Sequence, residues 1–340
     1  ETMIISDLHT SLRPYLEATP KGQVFVLTDA NVASCYPKIV EEFVHYILPA
    51  GDNHKSIQSV EMVWQFLLDN GATRDALLLN IGGGMITDLG GFVAATYMRG
   101  IRCVNIPTSL LAMVDASTGG KTGINMLGLK NLIGTFTTPL TTLIYPPFLN
   151  TLPDEEVLSG FAEMLKHGLI ANPSHFYALL AAELQMPYSE LFAPLLEDSI
   201  RVKQQIVDSD FLEKGQRKAL NFGHTIGHAI EESYAAQGRI VAHGYCVMWG
   251  MVAELYLSFL KLKFDKRVVS QILAFAKEYY GAFPYTCKQY DRLYELMTHD
   301  KKNSGGQINF TLLAGVGDVR INQNVTKEEV FEALDFIREN

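Results

Sequence analysis

A chain of 340 residues exceeds what one hydrophobic core usually serves, and 48% hydrophobic against 19% charged residues excludes wholesale disorder. The formal net charge of −9 excludes the basic surface of a general nucleic-acid binder, so a local gathering of Lys and Arg points instead to a small anionic ligand. Cys35, Cys103, Cys246 and Cys287 show no CxxC spacing, no run of about 18 apolar residues stands out, and no secretory leader pattern opens the sequence. A reduced, cytoplasmic protein without a membrane span is therefore expected.

The first half alternates strand and helix. Residues 23–28 (QVFVLT) form an apolar strand ending at Asp29, and 34–48 and 55–70 read as helices. Residues 76–81 (ALLLNI) form a second strand, closed by Gly82-Gly83-Gly84, before a helix over 85–97 and strands over 101–106 and 140–145. Strands without polar alternation, separated by helices, predict a parallel sheet covered on both faces. Beyond residue 153 helical patterns dominate, over 155–170, 175–185, 189–208, 224–234, 244–262, 267–280 and 290–297. A small hairpin over 307–313 and 318–321 precedes a last helix over 327–338, capped by Thr326. The expected division is an α/β domain over 1–153 and a mostly helical domain over 154–340.

Five stretches carry chemistry. Gly82-Gly83-Gly84 lies between strand and helix, where backbone N–H groups can hold a pyrophosphate, although Thr87 breaks the GxGxxG pattern and a bare tight turn is the alternative. Asp88 complements the helix N-terminus or reaches a ligand, and Thr108 and Ser109 end a strand at the edge where open α/β sheets bind ligands. Residues 115–125 are too glycine-rich for a helix and read as a loop. There Lys121 looks like a phosphate-loop lysine, but Asp115 occupies the first-glycine position of that pattern. Glu163, Lys166 and His167 share an otherwise apolar helix, where a surface ion pair competes with a metal-binding carboxylate. Lastly, His224 and His228 stand four apart on one helix face, a spacing that can present a metal, and His243 follows at the head of another apolar run. Gly223 and Gly227 each cost roughly 1 kcal/mol in a helix, so something must approach the backbone closely there.

Taken together, Gly82-Gly-Gly-Met-Ile-Thr-Asp88, Tyr97-Met-Arg-Gly100, the block from Pro107 to Asn125, Lys130-Asn131, Gly160-Phe-Ala-Glu-Met-Leu-Lys166, the block from Arg217 to His228, Ala242-His-Gly244 and Asp300-Lys-Lys302 resemble the 3-dehydroquinate synthase family, in its order and over nearly the whole chain. The resemblance implies a Rossmann-like NAD-binding domain followed by a helical metal- and substrate-binding domain. It implies conversion of an anionic sugar phosphate, 3-deoxy-D-arabino-heptulosonate 7-phosphate, into 3-dehydroquinate and phosphate. NAD and a divalent metal, zinc foremost and cobalt next, would serve as cofactors in a cytoplasmic homodimer. Hydride would pass to NAD, phosphate would leave, hydride would return, and an aldol step would close the ring. The metal ligands would be Glu163, His224 and His243, which moves His228 to the substrate side. NAD contacts would fall on Asp29, Asp52, Lys55, Gly83, Gly84, Asp88, Thr108, Ser109, Leu111, Lys121, Lys130, Thr151, Leu152 and Glu156, with Asp52 standing where the family usually carries glutamate. Substrate and catalytic roles would fall on Arg99, Asp115, Lys121, Lys130, Asn131, Lys166, Lys203, Arg217, Asn221 and His228, plus Lys301 or Lys302. A sister cyclase such as 2-deoxy-scyllo-inosose synthase is the nearest alternative.

Overall fold

A computed structural model of the protein describes residues 1–298 and 308–340. Two compact units emerge: Glu1–Pro153 with Leu184–Gln204, and Asp154–Glu183 with Gln205–Asn340. Residues 184–204, which the sequence pattern assigns to the second domain, thus cluster with the first.

The first unit is built on a six-stranded parallel sheet. Its strands are β1 (Thr2–Ile4), β2 (Val24–Asp29), β3 (Val44–Leu48), β4 (Leu77–Gly82), β5 (Arg102–Pro107) and β8 (Thr141–Ile144), in the order β1-β8-β5-β4-β2-β3. Strands β2, β4, β5 and β8 lie within a residue or two of their expected places, because burial on both faces makes them continuous apolar runs. Helices α1 (Leu8–Glu17), α2 (Ala30–Cys35), α3 (Pro37–Glu41), α4 (Ile57–Asp69) and α5 (Gly84–Thr96) connect them. Val60, Val63 and Leu67 of α4 and Ile86 and Leu89 of α5 join Phe25, Leu27 and Leu78 in one buried cluster.

Two expectations for this unit are corrected. The helix expected over 34–48 is two short helices followed by the edge strand β3, whose apolar residues pair in register with β2, Phe25 opposite Val44 through Asp29 opposite Leu48. The loop expected over 115–125 instead runs from a π-helical turn (Ala112–Ala116) into an antiparallel hairpin, β6 (Lys121–Met126) with β7 (Leu129–Phe136).

The second unit contains α6 (Asp154–Ala171), α7 (Pro173–Leu180), α9 (His224–Ala236), α10 (His243–Leu262), α11 (Lys266–Tyr280), α12 (Tyr290–Thr298) and α13 (Lys327–Glu339), with a hairpin of β9 (Asn309–Gly315) and β10 (Asp318–Asn324). Helix α8 (Tyr188–Ser209) starts in the first unit and ends in the second. Thr326 caps α13 as expected, and Glu329 in return accepts from the Thr326 backbone N–H. Among the described residues one helix, α10, is long and apolar enough to cross a membrane by length and composition alone, yet 67% of its apolar window is buried, as in a core helix.

Candidate functional site

The first unit gathers its polar residues at the carboxyl edge of the sheet. Strands β2 and β4 are neighbours, but the chain leaves β2 toward β3 on one side and leaves β4 toward β5 on the other. Such a reversal opens a crevice at the strand ends, the usual ligand site of open α/β sheets. Asp29 closes β2 and caps α2, accepting from the N–H groups of Asn31 and Val32 at 2.9 and 3.1 Å; burial raises its carboxyl pKa. Gly83 and Gly84 start α5 without any side-chain cap, so its first N–H groups remain open to a ligand. Thr108 donates its backbone N–H to Gly82 O at 3.0 Å and is buried beside this turn, while Ser109 accepts from Ala112 N–H at 3.3 Å. Leu111, which follows, is half-buried.

Lys55 is the hub of the same unit. It is buried, and its Nζ donates to Asp88 Oδ2 and to Asn131 Oδ1, each at 2.5 Å. Burial raises the Asp88 pKa, and the Lys55 ammonium works against that rise. Asp52 meets Lys130 Nζ at 3.3 Å and accepts from Asn125 Nδ2 at 3.1 Å, and Asn125 N–H donates to Lys55 O at 2.7 Å, so the β6–β7 hairpin is tied to the 52–55 turn at several points. Lys203, on α8, donates to Asp115 Oδ1 at 2.6 Å and is buried, not the solvated lysine that a helix surface would supply. Thr151 Oγ1 lies 2.8 Å from the Tyr36 hydroxyl, next to half-buried Leu152. Lys121 is exposed at the start of β6. Arg99 is exposed on left-handed backbone (φ 67°) and makes no ion pair with any described residue of the cluster. Glu156 belongs to the second unit, in the first turn of α6.

The second unit brings three helices to one point. Every position of α6 from Ser159 to Ile170 is buried, which removes the surface-ion-pair reading of Glu163 and Lys166. Lys166 contacts Glu163 Oε2, while the Nε2 atoms of His224 and His243 face Glu163 Oε1 at 3.3 and 3.5 Å. Both glutamate oxygens are buried and receive no well-aligned hydrogen bond. His224 Nδ1 faces Phe222 O at 3.0 Å, and His243 Nδ1 faces Glu231 Oε2 at 3.4 Å. Both partners can only accept, so each Nδ1 carries a proton, and a ring that holds no other proton leaves its Nε2 lone pair for a ligand on the Glu163 side.

This donor set fits a divalent metal. The ligand atoms lie within 4.8 Å of one another. Bonds of about 2.0–2.1 Å around a tetrahedral centre place neighbouring ligand atoms roughly 3.4 Å apart, which matches the two separations to Glu163 Oε1. Burial, reinforced by Lys166, holds His224 down at about 3, so that ring is neutral. Burial also opposes charge on His243, but Glu231 and then Glu163 raise it to about 10. Burial would push Glu163 up, yet Lys166 and then His224 hold it well below the ordinary carboxylate range.

The i, i+4 pair singled out in the sequence is therefore split. His228 is half-buried, its ring 5.1 Å from His224 and 5.9 Å from His243, and His243 takes the facing position on Glu163. Arg217 is buried, donating from its guanidinium to Phe211 O at 2.6 Å and from its backbone N–H to Asp210 at 3.1 Å, while Asn221 donates to Glu213 at 3.1 Å. Glu231 and Asp210 were missed in the sequence. Glu231 lies one helical turn after His228 on a buried face, a position that could have flagged it. Lys301 and Lys302 lie outside the described residues.

Comparison with known proteins adds the chemistry of relatives. Residues 45–159 match the family model described as 3-dehydroquinate synthase N-terminal, and residues 160–303 match 3-dehydroquinate synthase C-terminal. A 3-dehydroquinate synthase of Parabacteroides distasonis is 48% identical, covering 100% of this chain and 98% of its own length. Among solved structures, 2-epi-5-epi-valiolone synthase of Streptomyces hygroscopicus with NAD+ and Zn2+ bound superposes with a TM-score of 0.86 at 25% identity, covering 100% of this chain and 96% of that one. A 2-deoxy-scyllo-inosose synthase with carbaglucose-6-phosphate, NAD+ and Co2+ shares the fold at a TM-score of 0.81 and 22% identity, with the same coverage.

Proposed function

The chain belongs to the 3-dehydroquinate synthase family, and on that premise we propose that it converts 3-deoxy-D-arabino-heptulosonate 7-phosphate into 3-dehydroquinate and phosphate. It acts as an NAD- and metal-dependent lyase, with zinc or cobalt at Glu163, His224 and His243. The observation that carries this reading is the convergence of those three donors, with Lys166 on the same carboxylate, in a chain matched to the synthase along both halves. We further propose a cytoplasmic homodimer, as the family resemblance implies.

When bound, NAD would accept and return a hydride, and the metal would polarise the hydroxyl on the carbon that gives it up. The open N–H groups at Gly83 and Gly84 would receive the dinucleotide phosphates, and Asp29, Asp52 and Thr108 would fix its remaining polar groups. Lys55 holds Asp88 and Asn131 in one geometry before any ligand arrives, so little order has to be created on binding. Lys166, buried on α6, and Arg217 would meet the phosphate and carboxylate, each gaining a charge-assisted hydrogen bond. Lys203, held by Asp115, would likewise offer its ammonium to a substrate anion. His228 flanks the metal ligands without facing Glu163, and its imidazole would carry a proton to or from the substrate.

The test is phosphate release. The heptulosonate phosphate should be turned over and glucose 6-phosphate should not. Turnover of glucose 6-phosphate alone would transfer the chain to the inosose-forming branch.

A further inference from the structure

Glu254 stands within α10, about three turns beyond His243, fully buried in an otherwise apolar stretch. Its Oε2 accepts from the backbone N–H of Gly223 at 2.6 Å, and its Oε1 accepts from those of Thr225 and Ile226 at 3.1 and 3.2 Å. These are the N-terminal donors of α9, the helix that opens with His224 and that normally needs a side chain of its own to satisfy them.

Helix α9 cannot supply that side chain. Its cap is Gly223, at φ 78°, and a Cβ there would lie 2.4 Å from Met251 Cγ and 3.1 Å from Val247 O. From the other helix, a Cβ on Gly250 would lie 2.0 Å from Gly223 O. The two helices thus cross backbone against backbone, which accounts for the glycines beside the histidines. The crossing leaves the capping position to a residue of α10, and Glu254 fills it with a full charge at the positive end of α9.

We propose that Glu254 is a positioning residue for the metal centre, fixing the start of α9, and with it His224, relative to the helix that begins at His243. The inference rests on the reading of Glu163, His224 and His243 as metal ligands. His224 depends on the same short turn a second time, because its Nδ1 bonds Phe222 O inside it. A cap that served folding alone would stabilise this turn without altering how the imidazoles meet an ion.

Glu254→Gln separates the two roles. The variant keeps one oxygen for Thr225 and Ile226 but turns an NH2 group against the N–H of Gly223, opening the turn next to His224. Zn2+ alone should bind this variant about 10–100-fold more weakly than the parent, and the visible bands of the Co2+-loaded protein should shift, with the KM for NAD unchanged. Ser258→Ala is the control. Ser258 donates to Glu254 O at 2.6 Å and accepts from Leu313 N–H at 2.9 Å, supporting the same helix without touching residues 222–226. It should lower the melting temperature and leave Zn2+ affinity at the parent value. A Glu254→Gln protein that melts early yet binds Zn2+ as the parent does overturns the inference. If that variant does not fold, Glu254→Asp decides, because its shorter arm must also weaken Zn2+, and parent-like affinity there overturns the inference equally. A parent that binds no Zn2+ overturns the ligand assignment and this inference together, an outcome distinct from the other two.

Discussion

Replacing Lys55 with methionine keeps the apolar stem and deletes the charge that organises the sheet edge. The ammonium is 4% exposed and Asp88 18% exposed, so their contact is scarcely weakened by solvent. Removing one partner of a buried pair costs about 3–5 kcal/mol, and the partial exposure of Asp88 sets the lower figure, about 3 kcal/mol. At roughly 2–4 °C per kcal/mol for a unit of this size, the melting temperature should fall by roughly 6–12 °C. The loss has a definite pH dependence. Burial already raises the Asp88 pKa above its ordinary 3.8, and removing Lys55, which opposes that rise, carries it further. A carboxyl whose folded pKa is raised contributes stability below its unfolded pKa and loses that contribution as pH climbs through the folded one. The deficit of Lys55→Met should therefore be small near about pH 4 and grow toward neutrality. Thermal melts of the parent, Lys55→Met and the double variant with Asp88→Asn check this directly, since the double variant leaves no orphaned charge and should melt above Lys55→Met at neutral pH. A single variant that melts with the parent, or a double variant less stable than the single, refutes the reasoning.

Alanine at Glu163, His224 or His243 should abolish stoichiometric metal and turnover together, whereas His228→Ala should keep the metal and lose rate; metal analysis with activity distinguishes them. Lys166→Ala and Lys203→Ala should each remove a charge-assisted contact worth about 1.5–3 kcal/mol, a loss of roughly ten- to over a hundredfold in kcat/KM. Because Lys166 is buried on Glu163 and Lys203 on Asp115, both variants should also melt lower, which a solvated lysine would not do. Metal uptake at neutral pH should release about one proton, because His243, raised to about 10, carries it in the metal-free protein while His224, near 3, carries none. Calorimetry in buffers of different ionisation heats measures that proton, and uptake without release contradicts the assigned ring states.

The parts of the fold visible in the sequence were those whose burial is uniform along the chain. Strands β4 and β5 are buried at nearly every position, so they read as unbroken apolar runs. Strand β3 was hidden because it is an edge strand of mixed exposure following two short helices, and its apolar residues mimic the continuation of a helix. The β6–β7 hairpin was hidden for the opposite reason: β7 is exposed along almost its whole length, so no alternation betrays it. In the site, local spacing alone suggested His224 with His228; the family resemblance named Glu163 and His243 instead, which the fold brings together from separate helices. The residues that orient ligands were the hardest to see, since Glu231 and Glu254 act on groups 12 and 28–31 positions away. A lone carboxylate inside an apolar helix, as Glu254 is in α10, is nonetheless a readable signal, because a buried charge must find partners.

The central claim is a redox-neutral conversion in which NAD is borrowed and returned. It is tested most directly by following phosphate and NADH together, with the heptulosonate phosphate in large excess over added NAD. Phosphate should exceed NAD many times over while NADH absorbance stays at its baseline. NADH rising in step with phosphate, or phosphate stopping at one equivalent of NAD, would contradict the account and make the protein an ordinary dehydrogenase.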